Sequence, residues 1–290
     1  MMYDDYPEWK VYLNTLEAMY HNHPVKLDIT GTIETISNID KEVLYKCYNT
    51  FYDPSNMVLC VAGDVDVDET IKIIKENAKA QKVFSEIDRY YGDEDDNIKN
   101  PRVEKQMDVS TPMFMLGFKD LSNKAKLKSG MPEDVNNTIK YDVAIQILLE
   151  MLVGGSTKLY EDLYNEGLVN KELGTDFSSE EDYAFSAISG EAKEPDKVIE
   201  RINERIKELK EKGLDEEEFE RTKKMLYGRF VRGFEDVSTI ANMFVNDFFR
   251  GVNASTYVEA YKNMNKEYVE DVLINHFDFE KQAVSIVRPL

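Results

Sequence analysis

The stretch NIDKEVL at residues 38–44 returns near the end of the chain as NMNKEYV at residues 263–269, an offset of 225 residues (263 minus 38). At the same offset, each copy ends in an aromatic residue followed by an aspartate, at 52–53 and 277–278. After one inserted residue each copy continues into an apolar run, MVLCV at 57–61 and AVSIV at 283–287. Asp40 or Asn265 is a suitable helix cap, and the apolar run is typical of a strand. Two such copies predict a duplicated α/β unit.

Composition restricts the class of protein. A chain of 290 residues with 42% hydrophobic residues is long enough for one large or two medium domains with real cores. The net charge of −20 disfavours a nucleic-acid partner, because a phosphate backbone would be repelled. Acidity of this size more often serves solubility than a specific function.

The two cysteines and the apolar pattern predict a cytoplasmic protein. Cys47 and Cys60 both fall at apolar positions of predicted elements, which favours buried free thiols over a disulfide and a reducing compartment. We identify no apolar run approaching the roughly 18 residues of a membrane span, and no signal sequence at the N-terminus. The expectation is therefore a cytoplasmic location and no membrane partner.

The periodicity of apolar residues predicts an α+β fold with helices packed on a mostly antiparallel sheet. Helices are predicted over residues 9–20, 40–51, 67–79, 138–153, 157–164, 196–212, 216–233, 237–250 and 266–275. Strands are predicted over residues 57–62, 103–109, 113–119, 172–178, 183–192 and 283–287.

Changes in composition suggest the domain organisation. The acidic run at residues 93–96 reads as a solvated segment inside a linker, and the polar residues 121–137 read as a loop. We therefore predict a first domain over residues 1–84, a linker over 85–104 and a second domain over 105–290.

The repeat predicts that the first domain is incomplete. In the second unit, counted from Glu104, 162 residues precede Lys266, whereas in the first unit 40 residues precede Lys41. Roughly 120 residues of the first copy have no counterpart in this chain. Its first residue corresponds to the middle of the helix predicted over residues 216–233, so we expect the chain to begin inside a helix.

The local motifs give little indication of a chemical function. His21-x-His23 followed by Pro24 could contribute to a metal site, but no third ligand has useful spacing, and a turn is favoured. His276 falls at a helix end, where the helix dipole is a sufficient explanation. Gly154-Gly155-Ser156 could receive an anion, although helix punctuation is favoured, with Ser156 as the cap of the second helix. We find no Walker loop, no Rossmann fingerprint and no Ser/His/Asp set with a local signature.

Several segments, taken in order, resemble the insulinase/pitrilysin family of zinc metallopeptidases, and most closely its bacterial processing-protease-like members. They are MYDDYPEW at 2–9, HP at 23–24, YDPSNMVL at 52–59, GDV at 63–65, GGSTKLY at 154–160 and LYNEGL at 163–168. The resemblance implies duplicated two-layer α/β domains with the architecture of LuxS and the processing peptidases, the first domain being incomplete here.

The resemblance also implies where the chemistry lies. In this family an inverted His-x-x-Glu-His motif binds zinc and activates water, and a later glutamate completes the zinc shell. This chain has no His-x-x-Glu-His, and the later glutamate would precede Met1. We therefore expect no catalytic residue and no metal ligand in this chain; zinc is expected only in the complete enzyme.

Two positions correspond to substrate-holding residues of the family's second domain. Where the family has an arginine this sequence has Tyr164, and where it has a tyrosine the position falls near Asn170. Tyr164 can donate a hydrogen bond but brings no charge. The alternative for Tyr164 is an aromatic residue at a helix end, packed on the sheet.

The resulting expectation is a fragment of a zinc-dependent metalloendopeptidase that is inactive alone. The alternative is a naturally non-catalytic partner subunit of a processing-type peptidase. The implied partners are a peptide or protein substrate in the complete enzyme, and a homo- or heterodimer contact through the exposed part of the incomplete domain. A small-molecule-binding module is a third alternative, without a motif to support it.

Overall fold

The computed structural model describes residues 5–78, 87, 92–120, 135–180 and 182–290. Within these residues the α-helices are α1 (Pro7–Met19), α2 (Ile33–Ser37), α3 (Lys41–Phe51), α4 (Val67–Asn77), α5 (Val135–Val153), α6 (Lys158–Asn165), α7 (Pro195–Lys212), α8 (Glu216–Arg232), α9 (Val237–Arg250), α10 (Ala254–Asn263) and α11 (Lys266–His276). The strands are β1 (Arg102–Met107), β2 (Met113–Asp120), β3 (Gly174–Ser179), β4 (Ala184–Glu191) and β5 (Gln282–Pro289).

The five strands form one mixed sheet in the order β1-β5-β2-β4-β3. β1 runs parallel to β5, whereas the other neighbours are antiparallel. Because β5 lies between β1 and β2, both of its edges carry ladder hydrogen bonds. The prediction of an α+β fold with a mostly antiparallel sheet is confirmed.

Helix α1 covers one face of this sheet. Leu16 and Met19 pack in one buried cluster with Phe185 and Ala187 of β4 and Ala283 of β5. On β2, the residue under α1 is Gly117, where an added Cβ atom would lie 1.9 Å from the Cε atom of Met19. The absence of a side chain at Gly117 thus lets the helix approach the sheet closely.

Helix α5 is the central element of the opposite helical layer, where it contacts α11, α7 and β3. Its apolar residues from Ile139 to Val153 are almost all buried. A stretch within Asn137–Asn165 is long and apolar enough to span a membrane, but 61% of it is buried inside the protein. A core helix of a folded domain passes the same test, so this stretch is weak evidence for a membrane span.

The chain divides into two compact units, and each contains residues from distant parts of the sequence. The larger unit contains the chain up to Leu27, Tyr91–Tyr227 and Ser255–Leu290. The smaller unit contains Asp28–Tyr90 and Gly228–Ala254. This division differs from the predicted boundaries, because α1 belongs with the sheet and α9 belongs with α2–α4. That residues 1–84 are the end of a first homologous domain stays a prediction.

The repeat seen in the sequence has matching local geometry in both copies. Helices α3 and α11 each have 11 residues. The cap side chains Asp40 and Asn265 each accept a hydrogen bond at 2.9 Å from the backbone N–H three residues later. After each helix Asp53 or Asp278 accepts from the N–H two residues later, at 3.0 Å. The same capping chemistry thus forms the same turns twice.

The two copies differ in their final apolar run. Residues 283–287 lie inside β5, but residues 57–61 are not in a strand, so the prediction of a buried strand over 57–62 is wrong. Met57, Leu59 and Val61 are largely exposed. Extended residues become a strand only where neighbouring strands accept their hydrogen bonds, and the described residues provide none here.

The predicted burial of the two cysteines is also wrong. Both thiols are free, but Cys47 is exposed and Cys60 is half-buried. Cys47 lies on α3, whose apolar side chains are largely exposed in this structure. Apolar periodicity indicates which face of a helix can be buried, but it does not supply the surface that buries it.

Candidate functional site

Tyr164 and Asn170, the two predicted substrate-binding positions, both lie at the protein surface. Tyr164 is in the last turn of α6 with 54% of its surface exposed, and its ring lies 6.1 Å from that of Tyr160. The alternative interpretation expected the Tyr164 ring to pack on the sheet, and this exposure contradicts it. Asn170 is exposed and follows the buried residues Leu168 and Val169. Both side chains are accessible to a peptide, and their role in binding stays a prediction.

Two cationic side chains that pair with residues of this region already have anionic partners. Lys171, the residue after Asn170, donates a hydrogen bond to Glu191 at 2.7 Å. Arg201 of α7 donates to Glu166 at 3.0 Å. These cations are paired with carboxylates, so neither replaces the positive charge that the family's arginine brings.

The segment Gly154–Ser156 is helix punctuation, as favoured by the sequence. Helix α5 ends at Val153 and α6 begins at Lys158. The cap of α6 is Thr157, whose Oγ1 atom accepts from the N–H of Tyr160, so the prediction of Ser156 as the cap is wrong. The carboxylate of Glu172 lies so close to Gly155 that an added Cβ atom would be 2.2 Å from Oε1. An anion at this turn would meet that negative charge, which disfavours an anion site.

The His21-x-His23 sequence forms a turn that is held by a carboxylate. The backbone N–H groups of His21, Asn22 and His23 donate to Glu94 at 2.6–2.7 Å. The Nδ1 atom of His23 accepts from the N–H of Val25 and caps a short 3₁₀ turn. This turn uses the Nδ1 atom of His23 in capping, so only the Nε2 atom of that ring remains for any other contact.

Glu94 also pairs with Lys119 of β2, which contradicts its assignment to a solvated linker. The Nζ atom of Lys119 lies 2.7 Å from Oε1 of Glu94, and the two side chains are 0% and 7% exposed. The same ammonium group donates to the backbone carbonyls of Met19, Asp95 and Asn97. Its hydrogen-bonding capacity is therefore fully used inside the protein, as a buried cation requires.

Burial and the partner group shift the pKa values of both members of this ion pair. Burial alone would raise the pKa of Glu94, but hydrogen bonds from Lys119 and from the three backbone N–H groups outweigh it and lower the pKa to about 2. Burial lowers the pKa of Lys119, and the hydrogen bond with Glu94 opposes this shift. Glu94 is thus a fixed anion at neutral pH, and it holds the end of α1 against the sheet.

A second polar cluster lies in the core and has the distances of a Ser-His-Asp triad. The Nε2 atom of His276 lies 2.7 Å from Oγ of Ser186, and its Nδ1 atom lies 3.0 Å from Oδ2 of Asp120. Tyr141 donates its hydroxyl hydrogen to the same carboxylate oxygen at 2.6 Å. A carboxylate oxygen only accepts, so Nδ1 carries a hydrogen, and Nε2 of a neutral ring accepts from Ser186.

This cluster is structural, because no substrate can reach its serine. Ser186 is 0% exposed and His276 is 3% exposed. A nucleophile needs access to the scissile bond as well as a base. The sequence missed the cluster, since its members come from β2, α5, β4 and α11 and only the fold brings them together. His276 does lie at a helix end as predicted, but the helix dipole is not a sufficient explanation, because the ring has hydrogen-bond partners in this cluster.

The described residues do not bring together three His, Cys, Asp or Glu side chains that could hold a metal ion. Of the three histidines, His276 belongs to the buried cluster and His23 caps a turn. His23 and Asp182 form a further pair, at 3.4 Å between Nε2 and Oδ2. Within the described part of the chain, the residues therefore do not fit the zinc site of the family that the sequence resembles.

Comparisons with known proteins place these observations in a family. The family model described as "Peptidase M16 inactive domain" matches residues 38–226. The chain is 33% identical to the uncharacterized zinc protease YmfH of Bacillus subtilis, over 99% of this chain and 66% of that protein. It is 21% identical to a Helicobacter pylori protein named "Non-peptidase homolog YmxG", over 95% of this chain and 62% of that protein.

Solved structures agree with these sequence matches. The crystal structure of an M16-like peptidase from Alicyclobacillus acidocaldarius has a TM-score of 0.92 and 32% identity, with 100% of this chain and 67% of that chain covered. A peptidase M16 inactive domain from Pseudomonas fluorescens has a TM-score of 0.77 at 14% identity, which shows the shared fold alone. This chain spans about two thirds of the length of the relatives that it matches.

Proposed function

This chain belongs to the peptidase M16 inactive-domain family, and from that premise we propose that it acts as the non-catalytic part of a zinc-dependent metalloendopeptidase. In this role the chain forms one wall of the space that holds a peptide substrate. The zinc ion and the glutamate that activates water belong to another part of the enzyme. The observation that carries the proposal is the 33% identity to the zinc protease YmfH over nearly the whole chain.

The side chains of the chain itself support a non-catalytic role. The sequence has three histidines and no His-x-x-Glu-His. His23 and His276 are engaged in a turn cap and in the buried cluster, respectively. At the positions where the family holds its substrate, Tyr164 and Asn170 are accessible but uncharged. A surface of this kind can contact a peptide through hydrogen bonds, while hydrolysis needs groups from elsewhere.

A naturally non-catalytic partner subunit is the second candidate. The name of the Helicobacter pylori relative, a non-peptidase homolog, favours it, as does the replacement of the substrate-holding arginine by Tyr164. The two candidates differ in what the gene encodes. A His-x-x-Glu-His motif in the same reading frame upstream of Met1 would exclude the separate subunit.

A peptidase assay tests the proposal. The purified chain is incubated with an unstructured protein substrate, with and without a zinc chelator, and cleavage is followed by mass spectrometry. We expect no chelator-sensitive cleavage by the chain alone. We expect such cleavage when the chain is mixed with the part of YmfH that it does not match. Chelator-sensitive hydrolysis by the chain alone, with one zinc bound per chain, would refute the proposal.

A further inference from the structure

A lysine side chain borders the end of helix α6, the helix that carries Tyr164. Lys193 lies in the short connection between β4, which ends at Glu191, and α7, which begins at Pro195. A Cβ atom added to Gly167 would lie 3.9 Å from the Nζ atom of Lys193. The N–H of Gly167 in turn donates to the carbonyl oxygen of Tyr164 at 2.9 Å. The ammonium group of Lys193 is therefore placed at the end of the helix that presents Tyr164.

The backbone of this connection is held in place, whereas the charge that it carries is unused. The N–H of Lys193 donates to the carbonyl oxygen of Leu168 at 3.1 Å, and the N–H of Ala192 donates to that of Pro112 at 3.0 Å. The side chain of Lys193 is exposed. In the described part of the chain, no group accepts a hydrogen bond from its ammonium group or forms an ion pair with it.

Other cations around α6 are already neutralised by carboxylates. Lys158 and Lys197 form ion pairs with Asp162 and Glu166, at 2.8 Å and 3.5 Å. Lys171 and Arg201 are paired as described above. Lys193 differs from these four, because no described carboxylate neutralises it. Even Glu194, the next residue in sequence, is exposed and forms no ion pair with it.

Attraction to the end of α6 does not account for this charge. Free carbonyl groups at the end of a helix favour a nearby cation. Here the carbonyl oxygens of Leu163 and Tyr164 already accept from the N–H groups of Leu168 and Gly167, at 3.0 Å and 2.9 Å. A charge that is exposed, unpaired and close to the accessible Tyr164 is therefore suited to a ligand from solution rather than to the fold.

We propose that Lys193 supplies the positive charge of the substrate-binding surface and binds a carboxylate side chain of the peptide. The chain then favours peptides that present a glutamate or an aspartate beside Tyr164. An ammonium group has three donors and no acceptor, so its ligand must be an acceptor. This inference rests on the proposed function, since it names the class of peptide that the chain holds.

A carboxylate suits this ammonium group better than a main-chain carbonyl group. The ammonium of a lysine is a compact and strongly hydrated charge. A neutral carbonyl oxygen would have to replace water beside that charge and would bring no opposite charge. A carboxylate forms a hydrogen bond in which both groups are ionised, and such bonds are shorter and stronger than neutral ones.

Two peptides that differ in one charge test the inference. Both have about 12 residues of serine, alanine and glycine and blocked ends, with either a glutamate or a glutamine at the centre. Each peptide is titrated into the isotope-labelled full chain, and the amide signals of Gly167 and Leu168 are followed by NMR. We expect about two- to fivefold tighter binding of the glutamate peptide, the range of an exposed ion pair, and a smaller difference in roughly 0.5 M salt.

Variants of the chain assign this preference to one residue. Lys193→Met should abolish it, Lys193→Arg should retain it, and Lys193→Glu should reverse it in favour of a peptide with a central lysine. Lys197→Met is the matched control, because Lys197 is 48% exposed but already paired with Glu166. This control should keep the preference for glutamate. Since both lysines are exposed, the variants should fold like the parent chain, which urea unfolding checks.

Three results would overturn the inference. They are the absence of binding by either peptide, equal binding of the two peptides, and a preference for glutamate that persists in Lys193→Met. The peptidase assay reports on the proposed function separately. Cleavage by the mixture without a preference for glutamate would exclude only the role of Lys193. A preference that depends on Lys193, without any cleavage, would exclude the peptidase role and leave Lys193 as a peptide-binding residue.

Discussion

The carboxylate of Glu94 lies 2.7 Å from the ammonium group of Lys119, and both side chains are almost completely buried. This pair connects the acidic segment before β1 to β2, and through the N–H groups of residues 21–23 it also connects to the end of α1. The pair therefore fixes α1, which precedes the first copy of the repeat in sequence, on the sheet that contains the end of the second copy.

Glu94→Gln should strongly destabilise the protein. The substitution leaves the ammonium group of Lys119 buried without its counter-charge, and loss of one partner of a buried pair typically costs about 3–5 kcal/mol. The free energy of unfolding in urea measures this effect. Asp96→Asn is the control, since Asp96 is 66% exposed and its pair with Lys281 contributes little. Equal effects of the two variants would contradict the assignment of Glu94 as the anchor.

The contribution of Glu94 to stability should disappear in acid. The pKa of Glu94 in the folded protein is about 2, below the value of about 4.3 for an unfolded glutamate. Folding thus favours the ionised form, and the stabilisation is complete above the unfolded pKa and lost as the pH falls towards 2. We expect the difference in unfolding free energy between wild type and Glu94→Gln to shrink as the pH falls below about 4. A constant difference would contradict the lowered pKa.

Tyr141→Phe should destabilise the core by about 1–3 kcal/mol, because it removes one donor from the buried carboxylate of Asp120. Burial and the nearby Asp120 raise the pKa of Tyr141, so its hydroxyl remains protonated as a donor. Thermal unfolding measures the change. Tyr164→Phe, at an exposed position, should change the stability by less than about 0.5 kcal/mol. If Tyr141→Phe left the thermal stability unchanged, the cluster would be dispensable.

Gly117→Ala should be destabilising through Met19, because the new Cβ atom would lie 1.9 Å from the Cε atom of Met19. Overpacking of this kind typically costs about 1–3 kcal/mol. Met19→Ala removes the atom that clashes, so the double variant should lose less stability than the sum of the two single variants. Strict additivity in this double-mutant cycle would show that α1 does not lie over Gly117.

The sequence was sufficient to predict the features that depend on local chemistry. The caps Asp40 and Asn265, the helix stop at Gly154-Gly155 and the strands around β5 follow from residue type and spacing, and the structure has them. Helices α2 and α10 were missed; α2 has only five residues, too few for the apolar period to be recognised.

Features that depend on contacts between residues distant in sequence could not be predicted from the sequence. Residues 57–61 and 283–287 have the same pattern, but the neighbours of each run decide whether it becomes a strand. Glu94 looks like part of a solvated acidic run until Lys119 is placed beside it. Ser186 and His276 are 90 residues apart and carry no local motif. The predicted loop over residues 121–137 lies mostly outside the described residues, and α5 begins within it at Val135.

The central claim is that this chain is the non-catalytic part of a zinc metallopeptidase, and its zinc stoichiometry tests the claim most directly. The chain is purified with excess zinc, freed of unbound metal and analysed by elemental mass spectrometry, and a chelator-treated sample serves as the reference. The account predicts zinc far below one ion per chain, and no difference between the chain and its His21→Ala or His23→Ala variants. One tightly bound zinc per chain, lost in either variant, would contradict it.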